Sequence, residues 1–179
     1  MESTISSRVL VGLAATAIVV SIGATPAGAE GFHAGRSARA NAAGGVTGGG
    51  FRGVQGAQGG AFRGGAHATD GQGNAAGFRA AGFQGPNGAQ GARGGRWSRS
   101  ADGTVQHESA GAASGARGSV QSQGSLAKSS DGTYSGSRDT SAESNSGYAY
   151  DGSTTVSNGS VEHSGTCTDP SGNEVPCSR

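Results

Sequence analysis

The sequence predicts a signal-peptide helix, then a largely disordered glycine-rich half, and then a low-complexity half that either forms thin antiparallel β-hairpins in an all-β meander or is disordered. Three observations lead to this fold class: an apolar run near the start, a shortage of large apolar side chains, and Asp-Gly or Asn-Gly pairs between short alternating segments. Of 179 residues 37 are glycine, and residues 30–179 contain only 17 large apolar side chains. Burial of such side chains is the main favourable term in folding, and it must offset the entropy of ordering each backbone. A conventional globular core with a buried active site is therefore excluded.

The first segment has the three-part layout of a secretory signal. Arg8 precedes an apolar run over residues 9–24, and Ala27-Gly28-Ala29 supplies a small-x-small site. The sequence therefore predicts a signal peptide over residues 1–29, cleaved between Ala29 and Glu30. The alternative, a membrane anchor, needs about 20 apolar residues, which is more than this run provides. We expect an exported protein, periplasmic or extracellular, with no transmembrane span after cleavage.

Residues 30–95 form a Gly/Ala-rich segment with recurring Phe-Arg pairs and no fixed period. Six arginines against Glu30 and Asp70 give it a net charge of +4. Low hydrophobicity and high glycine content are typical of disorder. The segment is therefore predicted to be a flexible basic arm.

Four arginines of this arm are candidate contacts to polyanions. They are Arg52, Arg63, Arg79 and Arg93. Two Arg-Gly-Gly triplets, at residues 63–65 and 93–95, resemble segments of RNA-binding proteins, in which arginine contacts phosphate and stacks on bases. Because the signal peptide directs the chain away from cytoplasmic RNA, the expected partners are anionic envelope polymers, and no specific nucleic acid is expected.

Residues 96–179 are rich in Ser, Gly and Thr, and they are predicted to form a polar β-hairpin region. Four dipeptides suit two-residue hairpin turns: Asp102-Gly103, Asp131-Gly132, Asp151-Gly152 and Asn158-Gly159. The last turn places Val156 opposite Val161 and Thr154 opposite His163. The Asp151-Gly152 turn would place Ala149 opposite Thr154, with Tyr150 on the other face.

Cys167 and Cys177 are the cysteines of the chain. An even count in an exported protein favours a disulfide, and the intervening Asp-Pro-Ser-Gly-Asn run is strong turn chemistry. Two cysteines without a nearby histidine pair make a poor zinc site. We predict a structural disulfide on the same face as the Val156–Val161 pair.

No catalytic, cofactor-binding or metal-binding residue is predicted. The four histidines are scattered, and the sequence contains no nucleophile elbow, phosphate-binding loop or metal-ligand cluster. We therefore expect neither an enzyme nor a cofactor. Asn158-Gly159-Ser160 fits a glycosylation sequon, but the turn alone also explains these residues.

The second half is similar in style to a broad group of secreted proteins. Its phrases include TVQHESAGAASGARGS, DGTYSGSRDTSAESNSGYAY and VEHSGTCTDPSGNEVPC. With these polar alternating segments, Asp-Gly turns and terminal cysteines, residues 96–179 resemble exported bacterial Gly/Ser-rich repeat proteins. The resemblance implies a periplasmic or extracellular location, and it implies no activity and no site residues.

Two functional hypotheses follow from these features. In the first, the protein is an exported, non-enzymatic structural or interaction protein of the cell envelope or extracellular matrix, with anionic envelope polymers or self-association as its contacts. In the alternative, it is a cationic surface-binding or antimicrobial factor that adheres to anionic lipid or polysaccharide. The net charge of +4 over the arm is modest, and each bound Lys or Arg contributes only about 1 kcal/mol at an anionic membrane.

Overall fold

The structure, a computed structural model, describes residues 31–177 as one antiparallel sheet. Eleven strands lie in the sheet in the same order as in the chain. They are β1 (Gly31–Ala40), β2 (Val46–Gly56), β3 (Gly59–Thr69), β4 (Ala75–Gln84), β5 (Gln90–Arg99), β6 (Val105–Gly115), β7 (Gly118–Lys128), β8 (Tyr134–Ser144), β9 (Ala149–Ser157), β10 (Ser160–Thr168) and β11 (Glu174–Val175). A single-turn 3-10 helix, Pro86–Gly88, lies between β4 and β5.

The prediction of a disordered first half is wrong. Strands β1 to β5 pair in continuous registers along their lengths, and β5 runs through the composition boundary between residues 95 and 96. Sequence reasoning weighed apolar burial, whereas ladder hydrogen bonds use backbone groups that every residue except proline carries in full. The predicted signal peptide and its Ala29–Glu30 cleavage site lie outside the described residues, and both stay predictions.

The sheet has no hydrophobic core. No apolar side chain among the described residues is buried, and Phe32 is 70% exposed. The buried residues within 31–177 are glycines: Gly45, Gly48 and Gly82. The prediction that the chain lacks a conventional core is therefore confirmed for these residues, although the chain is ordered without one.

Large rings lie over glycines of neighbouring strands. The Tyr150 ring covers Gly152 and Gly165, and a Cβ on Gly165 would lie 2.8 Å from a ring carbon. Phe51 covers Gly35 in the same way, since a Cβ there would lie 2.7 Å from the ring. Glycine in a strand often marks such a close approach. These rings thereby remove some apolar area from water without a second layer.

The turns on one edge of the sheet recur at a regular interval. Along this edge, here called the first rim, successive turns begin 29 or 30 residues apart. These turns comprise residues 41–45, 70–74, 100–104, 129–133 and 158–159. The repeating unit is thus a pair of strands with its turn, a period that the loose Phe-Arg repeats did not reveal.

Asp and Asn side chains close many of these turns. Asp70 Oδ1 accepts hydrogen bonds from the backbone N–H of Gln72 at 2.8 Å and of Asn74 at 3.0 Å. On the opposite rim, Asp169 accepts from Ser171 and Asn173, each at 2.9 Å. A side-chain oxygen that satisfies backbone donors in this way stabilises a turn.

The Asn158-Gly159 hairpin is confirmed in full. Asn158 and Gly159 have φ angles of 47° and 93°, as a two-residue turn with two left-handed positions requires. Val156 lies opposite Val161, and Thr154 lies opposite His163. Asp102-Gly103 and Asp131-Gly132 do lie in turns, but these are longer than predicted, because residue 100 pairs with residue 104 and residue 129 with residue 133.

The predicted Asp151-Gly152 turn is wrong. Both residues lie inside β9, where Gly152 is paired with Thr140 on one side and Gly165 on the other. Ala149 accordingly lies opposite Glu143 and Thr168, and Tyr150 shares a face with Thr154. The physical reason is local: Gly152 keeps a negative or extended φ, and the Tyr150 ring fills the space above it.

A glycine substitution tests the close approach of neighbouring backbones. Gly118 has a φ of 143°, and a Cβ there would meet the Glu143 carbonyl oxygen. Gly132 has a φ of 91° with open space around it. We expect Gly132→Ala to lower the free energy of unfolding by about 1–2 kcal/mol through backbone strain. Gly118→Ala should cost about 1–3 kcal/mol more, as measured by urea titration; equal losses would contradict the packing.

Acid should weaken the turns. The pKa of Asp70 is lowered, chiefly by the Asn74 side-chain amide and then by the Gln72 N–H, and hydrogen bonds from Thr133 likewise lower the pKa of Asp131. Since these pKa values are lower in the folded protein, their contribution is present above the ordinary value of about 3.9 and is lost as the pH falls through the folded values. Urea titrations at about pH 6 and about pH 3 should show lower stability in acid.

Asp70→Asn is the matched variant for this effect. Asparagine keeps the oxygen that accepts the Gln72 and Asn74 N–H groups, as Asn41 does for Ala43 and Gly45, but it does not titrate. The variant should therefore depend less on pH than the parent protein. An unchanged pH dependence would remove Asp70 from the explanation.

Candidate polyanion-binding face

Strand alternation sorts the Phe-Arg pairs onto two faces. Adjacent residues of a strand point to opposite sides of the sheet, while residues directly opposite each other share a side. Arg52 lies directly opposite Arg63, and Phe51 and Phe62 lie opposite Gly64 and Gly53. We call the side that carries Arg52 and Arg63 the arginine face, and the side that carries Phe51 and Phe62 the phenylalanine face.

Each of the first five strands presents an exposed arginine near its middle on the arginine face: Arg36, Arg52, Arg63, Arg79 and Arg93. Arg99 also lies on this face, but at the end of β5, six residues beyond Arg93. Because neighbouring strands lie about 4.8 Å apart, the five guanidinium groups form a band about 20 Å long across the sheet. We call this set the arginine band.

No strand residue on the arginine face is acidic within the described range. The acidic strand residues all lie on the phenylalanine face: Glu108, Asp139, Glu143, Asp151, Glu162 and Glu174. On that face Arg96 forms an ion pair with Glu108 at 2.7 Å. The arginine band has no such carboxylate partner among residues 31–177, and Arg52 and Arg63 face each other as like charges, which is unfavourable.

The structure brings together all four arginines that the sequence suggested. Arg52, Arg63, Arg79 and Arg93 lie on β2 to β5 of one face. Sequence reasoning missed Arg36, and it also missed the separation of charge between faces. Alternation along a strand does predict that the two side chains of each Phe-Arg pair lie on opposite faces. The separation of charge between faces depends on the strand registers, and Arg39 and Arg96 lie on the same side as the acidic residues.

The predicted disulfide is present. Cys167 and Cys177 are bonded, with their Cα atoms 5.4 Å apart. Cys167 lies opposite Tyr150 and Val175, on the arginine face together with the Val156–Val161 pair, as predicted. The bond closes the turn that leads into β11 and holds this two-residue strand against the end of β10.

The remaining polar chemistry consists of isolated contacts. His163 Nδ1 lies 2.8 Å from Thr154 Oγ1, and His163 Nε2 lies 3.3 Å from the Tyr150 hydroxyl. Over residues 31–177 no three His, Cys, Asp or Glu side chains are grouped so as to hold a metal ion. In the same part of the chain, no helix has the length and apolar character needed to cross a membrane.

Comparisons of the chain with models of protein families, with curated proteins and with solved structures find no match. Function is therefore inferred from the geometry of the two faces.

Reduction of the disulfide should loosen the last strands first. Closing a loop of this size contributes about 2–3 kcal/mol on the chain-entropy model. We expect a reductant to raise amide exchange at residues 167–175, and less strongly at 153–164, while β5 around Trp97 is unchanged. In the double variant Cys167→Ala/Cys177→Ala, amide exchange should match that of the reduced protein and should not change when the reductant is added. Equal loosening at Trp97 would show that the bond acts on the whole sheet.

Proposed function

We propose that this protein is exported and non-enzymatic, and that its arginine band adheres to an anionic polysaccharide of the cell envelope or extracellular matrix. Its role there is structural or interaction-based. The observation that carries this proposal is the arginine band itself: five exposed arginines on five successive strands, with no acidic strand residue of the described range 31–177 on the same face.

The geometry of the band suits a linear polyanion. Each guanidinium presents a planar fork of donors that binds a carboxylate or sulfate group through two parallel hydrogen bonds. The repeat of about 4.8 Å between strands offers such a fork to successive charges of an extended chain. Binding also relieves the repulsion between Arg52 and Arg63, because a bound anion supplies the negative charge that the neighbouring residues of this face do not.

Small residues separate the arginines, and this gives an extended polymer access to each guanidinium group. Gly50, Gly65 and Ala81 lie directly opposite Arg36, Arg79 and Arg63, so the band is flat between its cations. Membrane adhesion depends on apolar side chains that insert into the lipid as well as on charge. Exposed Phe32, Val54 and Phe83 form a row beside the band on the same face, and they could make such contacts. Adhesion to anionic lipid, including an antimicrobial action, is the competing outcome.

The experiment compares two variants of equal net charge. Arg52→Gln/Arg63→Gln removes two cations from the band, while Arg39→Gln/Arg117→Gln removes two from the phenylalanine face and a turn. With dextran sulfate and alginate as probes, the first variant should bind at least about 10-fold more weakly, because a charge-assisted hydrogen bond contributes about 1.5–3 kcal/mol. The control should bind like the parent protein.

The salt dependence gives a second measure of the same contacts. The fall of affinity with salt should be shallower for the band variant, since fewer ion pairs are formed. Equal losses in both variants would show that net charge alone acts and would overturn the site. Strong binding to vesicles of anionic lipid without binding to either polysaccharide would favour the lipid alternative.

A further inference from the structure

We propose that copies of this protein stack face to face, with the arginine band of one copy on the acidic part of the next copy's phenylalanine face. This goes beyond polysaccharide binding, but it uses the same arginines, so the polymer and the second copy compete. The occupant of both open faces is thus a second copy of the chain.

Charge complementarity is the first observation behind this proposal. The arginine band covers β1 to β5 on one face, and exposed carboxylates cover β8 to β10 on the other. These carboxylates include Asp139, Glu143, Asp151 and Glu162. Since Glu108 is already paired with Arg96, these four groups remain to meet the band. In the described strands the phenylalanine face has two cations, Arg39 and Arg96, so its carboxylates are in excess, and the arginine face has no carboxylate.

The other two half-faces are complementary in a different way. On the phenylalanine face of β2 to β4, Phe51, Phe62 and Phe78 are 60%, 37% and 56% exposed. They line a groove of about 800 Å³ whose other surfaces are mostly glycine and alanine. On the arginine face of β7 and β10, Leu126 and Val161 are 44% and 67% exposed. Two cations, Lys128 and Arg138, also lie on this half, so the match is apolar in part.

One operation aligns both pairs of half-faces. A half-turn about the normal of the sheet places β1 to β5 of one copy over the late strands of the next. The band then meets the carboxylates while the late apolar residues meet the phenylalanines. A regularly twisted sheet keeps its shape under this rotation, so two copies nest at the usual spacing of about 10 Å. Each contact is head-to-tail, which leaves a face open at either end.

The area of such a contact is sufficient for stable association. The ten long strands, β1 to β10, at about 4.8 Å and about ten residues each at 3.3 Å give a face of about 1,600 Å², so a stack buries about 3,200 Å² per contact. Specific interfaces bury about 1,200–2,000 Å² in total. Stacking also supplies the second layer that sheets ordinarily need, and that no part of residues 31–177 provides on either side.

Sedimentation velocity at increasing salt tests the proposal on the purified protein. We expect assemblies at low salt that dissociate as salt is added, and that also dissociate on addition of dextran sulfate. Asp139→Asn/Asp151→Asn/Glu162→Gln should assemble at least 10-fold more weakly. The matched control, Asp70→Asn/Asp102→Asn/Asp131→Asn, changes net charge equally at the first rim and should assemble like the parent protein. Circular dichroism checks that each variant keeps its strands.

A charge exchange between two variants gives the decisive result. Arg52→Glu/Arg63→Glu and Asp139→Lys/Asp151→Lys should each fail to stack alone, because like charges then face each other. Mixed together they should stack again in alternation, because the altered acidic face of one variant meets the altered basic face of the other, and the two intact faces also have opposite charge. Failure of the mixture to assemble would overturn the stacking geometry.

Two further outcomes separate stacking from the proposed function. The variant Asp139→Asn/Asp151→Asn/Glu162→Gln should lose assembly while it keeps full binding to dextran sulfate, because its arginine band is intact. A protein that binds the polymer but remains monomeric at every salt concentration would overturn stacking and leave the proposed function standing. Assembly that is unchanged by salt, and that is equally strong in the triple variant Asp139→Asn/Asp151→Asn/Glu162→Gln, would indicate edge-to-edge pairing through β1. That result would also overturn stacking.

Discussion

The hydrogen-bonded ladder between neighbouring strands is the interaction on which the whole structure depends. With no apolar side chain buried among the described residues, side-chain burial contributes little beyond the rings that lie over glycines. The ladder demands that strands approach closely along their full length, and glycine permits this where a ring or a carbonyl group crosses. There are two kinds of close contact: Gly165 lies beneath the Tyr150 ring, and Gly118 lies beside the Glu143 carbonyl oxygen. The high glycine content, a sign of disorder in most chains, is here part of an ordered sheet.

Local turn chemistry could be predicted from the sequence, whereas the extent of order could not. The Asn158-Gly159 hairpin was predictable because the turn residues and the alternation of Val156 and Val161 agreed on one register. The same reasoning failed at Asp151-Gly152, since a glycine that suits a turn also suits the space beneath a ring, and the position of Tyr150 over its neighbours is a contact between strands. Order in β1 to β5 could not be predicted, because backbone hydrogen bonding between strands does not depend on a particular amino-acid composition.

The candidate site shows a similar division between what residue types and what topology determine. Arginine as a ligand for polyanions follows from its chemistry alone, and Arg52 and Arg63 were identifiable on that basis. Their convergence with Arg36 depends on the strand registers, because a shift by one residue would move an arginine to the other face. The net charge of +1 for the chain conceals this arrangement. In a sheet with two solvated faces, strand alternation can place acidic residues on one face and most basic residues on the other while the net charge of the chain stays near zero.

The strand order has a consequence for how such a molecule changes size. Each strand pairs only with its neighbours in the chain, as in repeat proteins whose stability is a sum of units and their nearest-neighbour interfaces. Contacts are therefore local in sequence, which favours fast propagation of structure from any nucleus. The repeating unit is two strands and 29 or 30 residues. Duplication or loss of one unit therefore leaves every later side chain on the same face of the sheet. Gene-level expansion would thus widen the sheet while leaving each face chemically the same.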